Sequence, residues 1–216
     1  MQPFKTFRGI IAPLDGSNVD TDQIIPKQFL KSIRRTGFGE SLFFDWRYLP
    51  NGDPDPAFSL NQPAVAGAQI LLTRNNFGCG SSREHAVWAV MQYGFNCVIA
   101  PFRGEGDDRI PAFADIFRNN GVKNGLLTVE LTEEEVETIF EAVAQSPGVE
   151  ATVDLENQAV TLHTSPEQSY SFEVDPTVKD HLLRGLDDIA LTLQYESAIT
   201  AFEAKHATYL ANEKPR

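Results

Sequence analysis

Cysteine is scarce: the 216 residues include two, Cys79 and Cys97, and neither lies in a Cys-x-x-Cys pair. Two thiolates cannot complete a four-thiolate zinc site or hold a 4Fe-4S cluster, so no metal site is expected within this chain. A disulfide between them stays open, although both fall in segments that read as α/β core. Long apolar runs are missing too. No stretch reaches the roughly 18 consecutive apolar residues of a membrane span, so no span is expected. Met1–Thr6 carries no basic region followed by an apolar run; no secretory signal is expected, and the cytoplasm is the default location. Positive charge is short: 18 Lys and Arg stand against 30 Asp and Glu, a formal net charge of −12. Nucleic acid and anionic membranes select basic surfaces, so neither is an expected partner. A local basic pocket can still bind a small anion, because a diffuse field is screened beyond about 8–10 Å. The common nucleotide and nucleophile motifs are absent as well. Gly78-x-Gly80-x-x-Arg83 lacks the third glycine of a dinucleotide fingerprint, and neither Gly-Lys-Ser/Thr nor Gly-x-Ser-x-Gly occurs.

What is present fits one α/β domain over residues 1–216, with a helical extension from about residue 176. Phe4–Pro13 reads as an opening strand running into the polar loop Leu14–Asp22. Gln69–Thr73 reads as a buried strand that leads through Asn75–Gly80 into a helix from about Ser81 to Tyr93, ended by Gly94. Cys97–Ala100 is the next apolar strand, which completes a strand–turn–helix–strand unit typical of parallel packing. Arg103–Arg109, rich in glycine and charge, reads as a solvated loop. A short helix is expected over Ala112–Asn119, then a polar turn over Asn119–Gly125 and a strand over Leu126–Leu131. Thr132 and Glu135 form a Thr-x-x-Glu capping box, and Val136, Ile139, Phe140 and Val143 supply that helix with an apolar face. Ala151–Leu155, Ala159–His163 and Tyr170–Val174 alternate polar and apolar residues, as an antiparallel meander does. Helices are expected over Pro176–Arg184 and Tyr195–Leu210.

The chemistry concentrates in Gly78-Cys79-Gly80-Ser81-Ser82-Arg83-Glu84-His85. Two glycines allow unusual backbone angles and close approach of a ligand. Ser81 with Glu84 spells a Ser-x-x-Glu capping box, and the amides and dipole at a helix start favour an anion. Arg83 adds a planar fork suited to a carboxylate. A cation at a helix N-terminus is unfavourable, so a negative group is expected near it, whether a ligand, Glu84 or another acid. On these residues alone a small-anion site and an ordinary capped helix both stay open.

The motifs Asn18-Val-Asp-Thr-Asp-Gln-Ile-Ile-Pro26, Arg35-Thr-Gly-Phe-Gly39, Phe44-Asp-Trp-Arg47 and Asn76-Phe-Gly-Cys-Gly-Ser-Ser-Arg-Glu-His85 resemble the small-subunit family of bacterial 3-isopropylmalate dehydratases. So do Phe113-Ala-Asp-Ile-Phe117, Asn124-Gly-Leu-Leu127 and Gly185-Leu-Asp-Asp-Ile-Ala-Leu-Thr-Leu-Gln194. The likeness runs in order over nearly the whole chain. It implies the swivelling domain of the aconitase superfamily, a layered β/β/α unit with a mixed sheet and C-terminal helices. It also implies a separate large subunit that carries a 4Fe-4S cluster. The implied reaction removes and re-adds water, converting 2-isopropylmalate to 3-isopropylmalate through 2-isopropylmaleate, in leucine biosynthesis.

The resemblance places Ser81 on the serine whose alkoxide removes the proton from carbon; the alternative is a helix cap and nothing more. Ser82 and Arg83 are expected to bind a substrate carboxylate. Arg35, in the stretch Lys27–Thr36 that resembles the family's specificity loop, is the candidate for a second carboxylate contact. A solvated basic face is the competing reading there. Asp22 is expected to orient an arginine, or else to serve as an Asx-type turn residue. Glu84 and His85 are expected to support the site, His85 by packing or a local hydrogen bond, and Cys79 to lie beside it as a small buried residue.

Phe102–Pro111 looks like an insertion relative to the family pattern, and Arg118–Lys123 departs from it as well. The insertion is expected to border the large subunit or to cover the pocket. Two rival functions accompany the main one: the same hydro-lyase machinery acting on another substituted malate or citrate-like acid, and a non-catalytic dicarboxylate-binding module.

Overall fold

The computed structural model describes residues 1–31, 35–104 and 106–205. Among them the principal elements are β1 (Phe7–Leu14), α1 (Thr21–Ile24), α2 (Phe44–Arg47), β2 (Ile70–Thr73), α3 (Glu84–Tyr93), β3 (Cys97–Pro101) and α4 (Asp115–Asn124). After these come β4 (Leu127–Leu131), α5 (Glu133–Gln145), β5 (Glu150–Asp154), β6 (Ala159–Leu162), β7 (Gln168–Ser171), α6 (Pro176–Arg184), α7 (Asp188–Leu193) and α8 (Glu196–Glu203). The strands form one mixed sheet in the order β4-β3-β2-β1-β5-β6-β7. β1 through β4 run parallel, and β5 through β7 form the expected antiparallel meander.

β1 joins the two halves by splitting its pairing. Ile11–Leu14 lie opposite Ile70–Thr73 in parallel register, whereas Phe7–Ile10 lie antiparallel to residues 150–153. The sequence pattern tracks this division. β2 and β3 are buried at every position, as parallel strands covered on both faces are. In β5 and β6 only alternate residues are buried, namely Ala151, Val153, Val160 and Leu162.

Alternation along the parallel strands feeds two cores. Ala12, Leu14, Leu71, Val98 and Ala100 face α3, α4 and the aromatic cluster around Phe43 and Phe77. Ile11, Ile70, Leu72, Ile99 and Val129 face α5 and the meander. The Thr132–Glu135 box forms as expected: the Thr132 hydroxyl accepts from the Glu135 N–H, and the Glu135 carboxylate accepts from the Thr132 N–H. Val136, Ile139, Phe140 and Val143 are the buried face of that helix.

One local expectation is corrected. The helix after β3 begins later and runs further than expected, over Asp115–Asn124, with Gly125 as its left-handed C-cap. The turn-forming look of residues 119–125 misleads because the left-handed glycine that ends the helix is Gly125, whereas Gly121 is accommodated inside it. A Cβ there would meet the Leu126 carbonyl oxygen at 3.4 Å where α4 packs against the next strand. The described residues of Arg103–Arg109 are exposed, as a solvated loop is, and the ends are paired: Arg103 and Ile110 exchange backbone hydrogen bonds of 2.9 and 2.8 Å. Ion pairs from Arg103 to Glu133 and from Arg109 to Glu130 clip it to the β4–α5 corner. Within the expected Tyr195–Leu210 helix, α8 runs over Glu196–Glu203 and residues beyond 205 lie outside the described ones; α7, over Asp188–Leu193, is a separate helix that was not expected. Finally, Cys79 and Cys97 are free thiols. No helix among the described residues is long and apolar enough to cross a membrane.

Candidate active site

Three loops leave the carboxyl ends of β1, β2 and β3, the edge of a parallel sheet where ligands bind, and they are laced together there. The first lies along the second. Asn18 N–H donates to the Asn75 carbonyl at 3.0 Å, Gly78 N–H to that of Val19 at 2.8 Å, and Thr21 N–H to that of Cys79 at 2.9 Å. On its other side the second loop pairs with the third, through Phe77 N–H to Ala112 and Ala114 N–H to Phe77, both at 3.0 Å. Gly78 and Gly80 have φ of +76° and +90°, the left-handed region open to glycine. At Gly78 a side chain is excluded twice over, since a Cβ would lie 2.4 Å from the Phe117 ring.

The first loop is set by a capping box of its own. Asp20 accepts from Gln23 N–H, and the Gln23 side chain accepts from Asp20 N–H, both at 2.8 Å. The signal was legible as an Asp-x-x-Gln pattern, but the sequence reading missed it. This box directs Thr21 and Asp22 onto the residues that follow Gly80. The Thr21 hydroxyl donates to the Ser81 carbonyl at 2.8 Å, and the Asp22 carboxylate pairs with the Arg83 guanidinium.

That lacing corrects the helix start. Residue 83 is extended, with φ −140° and ψ 108°, and serves as N-cap without a side-chain cap bond; α3 begins at Glu84. Ser81 therefore caps nothing, because the contact with Thr21 holds it in the extended run. Glu84 turns instead to Asn124, whose side-chain amide donates to it at 3.1 Å. The Ala86 amide turns back to the Arg83 carbonyl at 3.2 Å, which leaves the first two amides of α3, those of Glu84 and His85, available to an anion. Asp22 is the acid that stands beside Arg83.

The result is an open surface on which Ser81 and Ser82 are exposed and the Arg83 side chain is 12% exposed. Arg83 hydrogen-bonds Asp22 through one terminal nitrogen of its five-donor guanidinium. The Arg83 hydrogen bond, with help from Lys27 at 3.3 Å, holds the Asp22 carboxyl below its ordinary range and so keeps it a carboxylate. Lys27 is a member of this group that the sequence reading did not single out. Ser82 lines a cleft of about 400 Å³ together with Ile116, Asn119, Lys123, His181 and Asp188. Among the described residues none of Phe102–Pro111 lines that cleft.

His85 and Arg35 sit apart from this cluster, along α3. The His85 ring packs edge-on against Phe38 at 5.3 Å and beside Trp88 at 4.8 Å. The Arg35 guanidinium lies over Trp88, 5.6 Å from the ring centre. The structure thus brings Ser81, Arg83 and Asp22 together and holds Arg35 further along the same helix. Cys79 is partly exposed beside Asp20, and burial first, then the Asp20 charge, pushes its thiol up. Cys97 is sealed in β3, and burial pushes its thiol up strongly. Among the described residues no three His, Cys, Asp or Glu side chains are placed to hold a metal ion.

The pattern of the aconitase C-terminal domain matches residues 1–134. The 3-isopropylmalate dehydratase small subunit of Desulforapulum autotrophicum is 55% identical over 210 residues, covering 97% of this chain and 98% of its own length. The chain belongs to the 3-isopropylmalate dehydratase small-subunit family. The small subunit of Brevibacillus brevis is 52% identical, over 95% of this chain and 100% of its own. The pattern of the C-terminal domain found in 3-isopropylmalate dehydratase small subunits matches residues 188–208. The crystal structure of 3-isopropylmalate dehydratase (leuD) from Methanocaldococcus jannaschii aligns with a TM-score of 0.62 at 21% identity. That alignment covers 92% of this chain and 99% of the other, and supports the shared fold.

Proposed function

We propose that this chain is the small subunit of a two-chain cytoplasmic hydro-lyase that interconverts 2-isopropylmalate and 3-isopropylmalate, with Ser81 as its proton-transferring group. The supporting observation is the lacing of alternate residues. Thr21 fixes the backbone of Cys79 and Ser81 while Asp22 fixes Arg83, and Ser81 is left exposed two residues before that arginine and three before the first residue of α3.

A serine hydroxyl is a weak base in water. Oriented N–H donors and a fixed positive charge stabilise its oxyanion, which lets it accept a proton from carbon. On this reading Ser82 and Arg83 grip one substrate carboxylate, with Arg83 held square by Asp22. Ser81 takes the proton from one carbon as the hydroxyl leaves its neighbour. It then returns the proton to the carbon that lost the hydroxyl when water adds back at the other, and the net change is an isomerisation.

The residues here do not fit a 4Fe-4S cluster. There are two cysteines, and Cys97 is buried in the sheet. The cluster is therefore assigned to the large subunit, where it would supply Lewis-acid chemistry at the substrate hydroxyl. An open rather than enclosed Ser81 suits a site that a second chain completes. In the reconstituted pair, Ser81→Ala is expected to lower turnover of 2-isopropylmalate by roughly 10²–10⁴ while the two chains still co-purify. Near-normal turnover would remove Ser81 from the reaction.

A further inference from the structure

One face of α3 grips residues 35–38 at successive heights. His85, Trp88 and Gln92 are spaced three and four apart and so share that face. At the far end, Gln92 uses both ends of its amide. Its nitrogen donates to the Arg35 carbonyl at 2.8 Å, and its oxygen accepts from the Phe38 N–H at 2.9 Å. Midway, the Trp88 ring lies under the Arg35 guanidinium at 5.6 Å. Trp88 is itself held in place, since its indole N–H donates to Asn124 at 3.0 Å. Nearest the helix start, His85 meets the Phe38 ring. Gly39 lets the segment come this close; a Cβ there would be 2.5 Å from the Gln92 carbonyl oxygen.

Gln92 is exposed, and its bond to the Arg35 carbonyl lies open to water, so that bond is not needed to satisfy a buried group. The effect of the two Gln92 bonds is geometric. They tie the main chain of Arg35 to the helix whose start carries Arg83, and Trp88 then aims the guanidinium. We propose that Gln92 and Trp88 are positioning residues that set Arg35 at a fixed distance from Arg83, so that the pair of guanidinium groups measures the separation of two carboxylates on the substrate. This rests on the dehydratase reading above and on Arg35 as its second carboxylate contact.

The test uses the reconstituted two-chain enzyme with 2-isopropylmalate. Gln92→Ala and Trp88→Leu are each expected to raise KM about tenfold with kcat changed less than about threefold, the signature of lost ground-state binding. Trp88→Phe, which keeps an aromatic face, is expected to recover most of that loss. In an Arg35→Ala background neither change should raise KM further, because their effect passes through Arg35. Unchanged KM in the single variants, or equal effects with and without Arg35, would overturn the proposal. A wild-type pair that does not turn over 2-isopropylmalate would sink the dehydratase reading and this inference with it. A wild-type pair that is active beside indifferent Gln92 and Trp88 variants would sink the inference alone.

Discussion

Thr21 donates its hydroxyl to the main-chain carbonyl of Ser81, 60 positions away, across 2.8 Å. Thr21 is 3% exposed, yet the residue it holds faces solvent. A buried threonine thus decides where a surface serine stands. Thr21→Val keeps the shape and removes the donor; the freed carbonyl can take a water, so the stability cost stays near about 1 kcal/mol. The expected outcome is at least about a tenfold loss of turnover in the reconstituted pair, a small shift in melting temperature, and recovery with Thr21→Ser. Equal losses in the two variants would detach the hydroxyl from the effect.

Asp22 is expected to titrate below the ordinary aspartate value of about 3.9, because the adjacent Arg83 stabilises its charged form. The depressed value makes the pair stabilising above the unfolded-state pKa, and that contribution fades as pH falls through the folded-state value. The side chain is 41% exposed, so solvent screens the effect and the stability change is small. Carboxyl chemical shifts followed against pH check this directly. Arg83→Gln should return the Asp22 midpoint toward its usual position.

Gly78→Ala tests the close approach of the site loop to α4. The new methyl group would strike the Phe117 ring at 2.4 Å, with the backbone at a φ of +76° that alanine tolerates poorly. Overpacking and left-handed strain together predict a loss of about 2–4 kcal/mol, read from denaturant unfolding. A neutral substitution would mean that Phe117 yields freely.

The parts legible in the sequence were those specified by neighbouring residues. The apolar run of β2, the glycine that ends α3 and the Thr132–Glu135 box each announce themselves within a few positions. The parts that misled depend on distant contacts. Ser81 with Glu84 spells a cap, but Ser81 is claimed by Thr21 and Glu84 by Asn124, so the helix starts late. Asn119–Gly125 has the composition of a turn, yet the helix runs through Gly121 and ends only at Gly125. Arg103–Arg109 is exposed as its composition suggests, but its ion pairs to Glu130 and Glu133 were not legible, because those partners come later in the chain. Within the site, the motif identified Ser81, Arg83 and Asp22 as candidates. It gave no hint that Arg35 lies over Trp88, since nothing local encodes that stacking.

The split pairing of β1 means that the molecule is not severable where its family patterns divide. A fragment stopping at residue 134, the end of the aconitase C-terminal match, would retain Asp22, Arg35, Ser81, Ser82 and Arg83 while losing His181 and Asp188 from the cleft. It would also strip Phe7–Ile10 of the strand that borders them and bare Ile11, Ile70 and Leu72 to water. Such a piece would present an unsatisfied strand edge beside an oily face, the combination that drives chains to stick to one another. The meander has no part in the proposed chemistry, but it is what keeps the catalytic half in solution.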